Sequence, residues 1–390
     1  MKIFVFNSGS SSLKVSVFKK NRDRFEVVKR IEAKNRDTIY TVTDGSTEFE
    51  ISSWDDRLQE CLNYLKSLGY IIDSESVVLH RLVHGLDLNK SIARVNSELL
   101  SILEEKSQLI APLHNPSAIE IIKRLMLDYP DSDNFVCFDT FFGFTIPREN
   151  YLYGLPKEIS ESIGVRKYLF HGISYSYISD QLRNINEEYF LSKKIVICHL
   201  GSGSSVCAIK HLQALDGSFG FSPMENLLSS TRVGELDVDA YRFIKHLKNL
   251  SDTELLNILN FKSGLLALSG YSSDMKVLVD DYSLNSNAKL AVDVYVSSVA
   301  KYIYQMVCSL GGLDILIFTG GIGQNSEKIR QMICGLLTVF RINLTDTTNQ
   351  VDIQNKGIIK VSNDTSDVEV YIAETKEDEQ MVKIYTNLNT

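Results

Sequence analysis

The chain predicts an α/β protein assembled from two duplicated halves, and three observations carry that prediction. A strand–loop–strand stretch in the first eighteen residues is written again at 195–210. Short runs with the two-residue period of strands interleave with longer runs of helical period. The length, 390 residues, exceeds what one hydrophobic core usually organises.

The opening stretch, MKIFVFNSGSSSLKVSVF, carries a continuous apolar run from Ile3 to Phe6 and an alternating one from Leu13 to Phe18, the pattern of a hairpin. Its turn, Asn7-Ser8-Gly9-Ser10-Ser11-Ser12, presents backbone N–H groups and hydroxyls with no bulky side chain in the way. A concave row of donors suits a phosphate, and Lys14 adds a point charge within reach of the same anion. In the second copy Gly201 aligns with Gly9, Ile195 with Ile3, Ser202 with Ser10 and Ser204 with Ser12, and Lys210 closes the return strand. Gly-Ser turns join strands in many proteins, but two copies in register indicate an internal duplication. Two hairpin tips facing a shared cleft would grip a polyphosphate from both sides. Neither copy is a Walker A loop or a Rossmann fingerprint, because each returns as a strand instead of opening a helix.

Beyond the hairpin, residues 19–52 read as further antiparallel strands broken at Asn21, Asn35 and Asp44-Gly45. Ser53, with Asp56 three residues on, caps a helix whose apolar face is Leu58, Cys61, Leu62, Leu65 and Leu68, closed by Gly69. Val77 to Val83 is a buried strand. Asn115-Pro116 starts a helix as N-cap and first-turn proline, Pro130 ends it, and the strand Phe135 to Phe138 delivers Asp139 and Thr140. Segments around Pro147 and Pro156 read as the crossing between halves. The second half adds helices near 238–248 and, from the capping box Ser251/Glu254, to about Asn260, then a long amphipathic helix over 287–309. The strand Leu313 to Phe318 runs into the loop Thr319-Gly320-Gly321-Ile322-Gly323-Gln324-Asn325-Ser326, whose glycines let a backbone lie flat against a ligand. Residues 343–367 are polar and turn-rich, Glu369 to Ala373 is a last strand, and a helix begins at Glu377.

Composition narrows the class of partner. Apolar residues make up 44% and charged ones 23%, and the net charge of -8 disfavours a nucleic-acid or anionic-membrane surface. No apolar run is long enough to span a bilayer and no signal peptide is visible, so the chain reads as cytoplasmic. Six cysteines without C-x-x-C pairing read as free thiols.

The candidate chemistry centres on two lone arginines. Arg81 interrupts the apolar run 77–83 and Arg232 sits in Ser230-Thr-Arg-Val-Gly234. Burying either without an anion is costly, so together they point to a phosphoryl group or a carboxylate, with a surface ion pair as the plain alternative. Asp139 and Glu377 are candidates for holding Mg²⁺ on a nucleotide. His80 and His84 have H-x-x-x-H spacing, but no Glu follows the first, which argues against zinc. His114 and His171, in Pro- and Gly-marked loops, are available to donate to an anion, although structural histidines are serious competitors.

With these motifs in place the chain resembles the acetokinase family, the acetate and propionate kinases. The resemblance runs nearly end to end. It covers Asn7 to Lys14, His80-Arg-Leu-Val-His-Gly85, Ala111-Pro-Leu-His-Asn-Pro116, Phe138-Asp-Thr140, Phe170-His-Gly172, His199-Leu-Gly-Ser-Gly203, Ser230 to Gly234, Ser263-Gly-Leu-Leu266, Ser272-Ser-Asp-Met275 and Gly320-Gly-Ile-Gly-Gln-Asn325. It implies two ribonuclease-H-like domains, of the actin and hexokinase type, flanking a cleft: 1–145 with 376–390, and a nucleotide-binding domain over 146–375. The implied activity is reversible transfer of the ATP γ-phosphoryl to acetate or propionate, giving an acyl phosphate and ADP, with Mg²⁺.

The resemblance carries family roles onto Asn7, Arg81, Asp139, His171 and Arg232 at the reacting phosphoryl, with Asn7, Asp139 and Glu377 at the metal. It places Ser10, Ser12, Lys14, His199, Gly201, Ser202 and Gly203 at phosphates, and Asp274, Met275, Lys276, Gly321, Ile322, Gly323 and Asn325 at the nucleotide. Arg81, Val83, Leu113, His114 and Pro223 fall at the acid. A homodimer is implied, with helix 287–309 as one source of interface and burial within its own domain as the alternative. The chain departs from the family at Ser202, where Asn is usual, at Tyr175, where a second His is usual, and at Gln324, where Glu is usual. The competing expectations are a non-catalytic ATP-binding relative and a pyrophosphate-dependent kinase.

Overall fold

The computed structural model describes residues 1–390 apart from 10–11, 23, 37–38, 87, 112–114, 225–226, 346–352, 354–355 and 390. The chain divides into two units, Met1–Phe141 with Lys376–Thr390, and Phe142–Thr375.

In the first unit the strands are β1 (Lys2–Ser8), β2 (Ser12–Asn21), β3 (Arg24–Arg36), β4 (Ile39–Thr43), β5 (Glu48–Glu50), β6 (Ser76–Leu82), β7 (Ile92–Arg94) and β8 (Asp133–Phe138). They form one sheet in the order β5-β4-β3-β2-β1-β6-β8-β7. The second unit holds β9 (Ile195–Leu200), β10 (Ser204–Lys210), β11 (Gln213–Gly217), β12 (Ile315–Thr319), β13 (Ile358–Lys360) and β14 (Glu369–Ala373), ordered β11-β10-β9-β12-β14-β13. The duplication read from the hairpins extends through both sheets. β3-β2-β1 and β11-β10-β9 are antiparallel meanders, and each continues into two parallel strands, β6-β8 and β12-β14. One detail differs. Ser8 faces Leu13 in the first hairpin, whereas Leu200 faces Ser204 in the second, so the aligned sequences pair one residue out of step.

Alternation along the central strands sorts side chains to two helical layers. In the second unit Val196, Cys198, Leu316 and Phe318 pack with the helix Ser286–Leu310, while Ile195, Ile197, Ile315 and Ile317 pack with the helix Gly172–Leu191. In the first, Phe4, Phe6, Val15 and Val17 bury against Leu58, Cys61, Leu62 and Leu65 of the helix Arg57–Ser67. Each such side chain contributes on the order of 1.5–3 kcal/mol by leaving water. The helix Glu377–Thr386 is tied to the first sheet by Ser16 Oγ and Arg30 Nε, both 2.8 Å from Asp378 Oδ2.

Several local expectations change. Ser53 caps a 3₁₀ turn, Trp54–Asp56, by accepting from the Asp55 N–H, and the α-helix follows it. Asn115 begins the helix Asn115–Asp128, but its side-chain amide is bonded to both backbone groups of His84. Asn35 lies inside β3 because the ladder to β4 runs past it. The polar stretch 343–367 contains β13, an edge strand. The helices Ser97–Ile110 and Gly172–Leu191 have no counterpart in the sequence reading. Helix Ser286–Leu310 sends its apolar stripe, including Ala291, Tyr295, Val299 and Ile303, into its own unit's core. All six cysteines are free thiols, Cys308 exposed and the others buried. No helix among the described residues is long and apolar enough to cross a membrane.

Candidate active site

Parallel pairing in the first unit sets three predicted residues side by side. Phe6 pairs with His80, which brings Asn7 and Arg81 to the same level one residue further on, and the Asp139 N–H donates to Leu82 O at 2.9 Å. Asn7, Arg81 and Asp139 therefore sit together at the carboxyl ends of β1, β6 and β8, the end of a parallel sheet where ligands gather.

The geometry of this cluster is close. Arg81 Nη2 lies 2.5 Å from Asp139 Oδ2, and Arg81 Nη1 lies 3.2 Å from Asn7 Oδ1 and 3.8 Å from Glu377 Oε2. Asn7 Nδ2 donates to Glu377 Oε2 at 3.0 Å. Asp139 is fully buried. Burial works against the Arg81 charge, but the Asp139 and Glu377 carboxylates outweigh it and raise the guanidinium pKa above its ordinary value. Arg81 Nε is buried without a hydrogen-bond partner among the described residues.

The Gly9 N–H donates to Ser12 O at 2.8 Å, and Ser10 lies outside the described residues. Lys14 is exposed and 3.9 Å from Glu32. Val83 is buried, while Leu113 and His114 lie outside the described residues. His80 is buried, stacks on Phe6 and meets Asn134 Oδ1 at 2.9 Å, and burial pushes its pKa down to about 4. It is a neutral structural histidine.

In the second unit the hairpin tip gathers a different set. His171 precedes the helix Gly172–Leu191 in the left-handed region, φ 58°, a conformation uncommon for a side chain with a Cβ and frequent at functional sites. Its ring stacks on His199 at 4.1 Å between centroids. His199 Nδ1 is 2.9 Å from Ser174 Oγ, and His171 Nδ1 is 2.8 Å from Ser205 Oγ. A Cβ added at Gly203 would stand 3.5 Å from Arg232 Nη1 and 3.6 Å from His171 Nε2, so this glycine keeps the guanidinium and the imidazole over bare backbone. Arg232 Nη1 also reaches Pro223 O at 3.4 Å.

The Arg232 loop is held from two sides. The Ser230 N–H donates to Ser202 O at 3.1 Å, and Gly264, at φ 66°, lies directly under the loop. A Cβ at Gly264 would come within 2.2 Å of Ser229 O and 2.8 Å of Arg232 O. Of the family departures, Ser202 thus contributes its backbone carbonyl to this loop. Tyr175 OH meets Ser205 Oγ at 2.5 Å, and Gln324 Nε2 meets Thr319 Oγ1 at 3.4 Å.

The glycine run is a correction. The sequence reading placed a loop there, but Gly320–Asn325 forms a short helix with Thr319 as its N-cap. Gly320, at φ 76°, packs where a Cβ would be 2.5 Å from Leu200 O, while Gly321 is open to solvent on that side. Asn325 Nδ2 returns to Gly321 O at 2.8 Å, Ile322 packs on the core, and Gly323 is buried. Asp274 caps the helix Met275–Asp280 through the Lys276 N–H at 2.8 Å. Met275 is buried and Lys276 exposed.

Three contributors escaped sequence reasoning. Arg330, 1% exposed, donates from Nη1 to both Gly323 O and Gln324 O at 2.8 Å and so fixes the end of the glycine helix. Burial lowers its pKa to about 10, which leaves it cationic at neutral pH. Ser205 stands where Leu13 stands in the first hairpin, and that polar exchange inside the repeat was the available signal. The support given by Gly264 depends on φ and on a long-range packing contact, neither of which is written locally.

Comparison with known proteins agrees with this architecture. The acetokinase family profile matches residues 2–383. The chain is 37% identical over 391 aligned positions to an acetate kinase of Thermotoga petrophila, with 97% of this chain and 96% of the relative covered. Among solved structures it resembles an acetate kinase from Porphyromonas gingivalis, with TM-score 0.83, 28% identity and both chains covered in full. It also resembles a propionate kinase from Francisella tularensis, with TM-score 0.85, 28% identity and 98% of each chain covered. The class so defined is that of kinases with a carboxylate acceptor. The chain belongs to the acetokinase family.

Proposed function

We propose that the chain transfers the γ-phosphoryl of ATP reversibly to acetate or propionate, forming an acyl phosphate and ADP. The observation that carries this reading is the convergence of Arg232 Nη1 and His171 Nε2 over Gly203, where a Cβ would stand 3.5 Å from the one and 3.6 Å from the other. Phosphoryl transfer asks for alignment and for positive charge against the equatorial oxygens, with little covalent help. A carboxylate acceptor is already ionised at neutral pH. It needs no general base, and the candidate groups are accordingly guanidinium, imidazole and amide.

In the first unit Arg81 and Asn7 act on phosphoryl oxygens and on the acid's carboxylate, with Val83 as an apolar limit, and in the second unit Pro223 is the apolar residue assigned to the acid. The backbones of Gly201 and Gly203 and the His199 ring bear on nucleotide phosphates. Gly321, Ile322, Gly323, Asn325 and Asp274 seat the nucleoside. One methylene is worth about 1–3 kcal/mol, so acetate and propionate are both substrates on this reading.

Asp139, Glu377 and the Asn7 amide oxygen would hold Mg²⁺, which when bound offsets charge on the phosphate oxygens. The residues present fit such an ion. Magnesium takes one or two carboxylates and draws its other ligands from phosphates and water. The described residues offer two carboxylates around Arg81 and no cluster of three or more protein ligands.

A hydroxamate assay for acyl phosphate, run with acetate, propionate and butyrate and with either ATP or pyrophosphate as donor, tests the proposal. Acyl phosphate from ATP with the two shorter acids is expected. Product from pyrophosphate alone, or nucleotide binding without turnover, would refute it. The homodimer belongs to the same reading and is checked by light scattering.

A further inference from the structure

We infer that Tyr175 and Ser205 are positioning residues that fix the tautomer of His171. Tyr175 donates to Ser205, Ser205 donates to His171 Nδ1, and the imidazole carries its proton on Nε2, toward Gly203 and Arg232. The role in turnover rests on the proposed function above, but the hydrogen-bond order does not.

The three groups form a short chain. Tyr175 OH is 2.5 Å from Ser205 Oγ, which is 2.8 Å from His171 Nδ1, and Tyr175 and Ser205 are fully buried. A hydroxyl both donates and accepts, so the chain can run in either direction. Acidity decides the direction. A phenol is the stronger acid and the stronger donor, and the shorter of the two contacts is the one made by the phenol. Once the phenol donates to Ser205, the serine proton is turned to Nδ1.

The Arg232 guanidinium lies over Gly203 beside Nε2, and His199 stacks on the same ring. A neutral imidazole has one N–H, and the nitrogen that carries it decides whether the ring donates to an anion or presents a lone pair that repels it. With Nδ1 accepting from Ser205, Nε2 is the donor. A histidine at position 175 would contribute a ring nitrogen in place of the phenol, so the tyrosine assigns this chain its own way of setting the tautomer.

The test reads the imidazole directly. In ¹⁵N-histidine-labelled enzyme at about pH 8.5, where imidazoles are neutral, the His171 signals are assigned by their loss in His171→Gln. Expected are a protonated Nε2 and an unprotonated Nδ1. Tyr175→Phe, which keeps the ring, and Ser205→Ala should each populate the other tautomer. Each should lower kcat roughly ten- to hundredfold, the range for partners that orient a functional histidine, with KM for ATP and acid within about twofold. Ser205→Thr, which restores a hydroxyl, should recover the native tautomer. A protonated Nδ1 in the unmodified enzyme would overturn the inference, as would tautomer populations unmoved in Tyr175→Phe. Normal turnover in His171→Ala would instead sink the catalytic reading of His171, and with it the chain's part in turnover, while the NMR result on hydrogen-bond order would stand.

Discussion

The Arg81 guanidinium sits 2.5 Å from the carboxylate of Asp139, which has no exposed surface. Each group makes the burial of the other tolerable. Arg81→Ala takes the guanidinium away from a buried carboxylate and should destabilise the first unit by about 3–5 kcal/mol in urea unfolding. Arg81→Ala combined with Asp139→Asn should recover part of that loss. Turnover should not return with it. In a coupled ADP assay the single and the double variant should both fall by roughly 10²-fold or more, because the proposed function makes Arg81 a transition-state donor.

His80 makes folding stability depend on pH. Burial holds its folded pKa at about 4, below the ordinary 6.5. Above pH 6.5 neither folded nor unfolded chain binds this proton, and its contribution is fully present. As pH falls from 6.5 toward 4 the unfolded chain takes up a proton that the folded one refuses, and stability drops by up to roughly 3 kcal/mol. His80→Gln should flatten the fall in unfolding free energy between about pH 7 and pH 5. An unchanged slope in that variant would mean that another group carries the proton.

Gly264 and Gly270 flank one short helix, both at positive φ, but their surroundings differ. At Gly264 a Cβ would meet Ser229 O at 2.2 Å, whereas at Gly270 nothing lies within 4 Å. Gly270→Ala should cost only the left-handed backbone strain, about 1–2 kcal/mol. Gly264→Ala carries the same strain and also displaces the loop that bears Arg232, so kcat should fall at least tenfold. Paired melting and turnover measurements separate the two effects.

How far the molecule is legible from its sequence follows the range of the interactions. The paired hairpins were readable because strand period and Gly-Ser turns are local, and Ile3 and Ile195 open matching strands in both sheets. Asn7, Arg81 and Asp139 could be named one by one, but their meeting depends on the parallel register of β1, β6 and β8, which no local pattern states. The helix Gly172–Leu191 escaped because its face toward the sheet mixes Tyr175, Ser176 and Ser179 with Ile178 and Leu182, a weak apolar stripe. The glycine run read as a loop because glycine disfavours helix. Tertiary support from Arg330, seven residues past Gly323, holds that helix closed.

That support yields the last prediction. Arg330 is almost wholly buried, and its Nη1 bonds to two carbonyls at the end of a six-residue helix that carries four of the proposed nucleotide contacts, Gly321, Ile322, Gly323 and Asn325. Such a helix is too short to hold itself together in water. Arg330→Met keeps much of the stem's packing but removes the donors, so the glycine turn should lose its fixed geometry while the Arg81 cluster in the other unit is untouched. A buried carbonyl left without a donor costs about 1–3 kcal/mol, and Gly323 O is buried while Gln324 O is partly so. Paid locally, that predicts an ATP dissociation constant raised at least tenfold by titration calorimetry, with kcat at saturating nucleotide within about threefold of normal. Arg330→Lys, a single point donor in place of a fork, should fall between the two. If ATP binds Arg330→Met with native affinity while the protein melts early, the guanidinium is a core brace only, and the glycine helix does not depend on it.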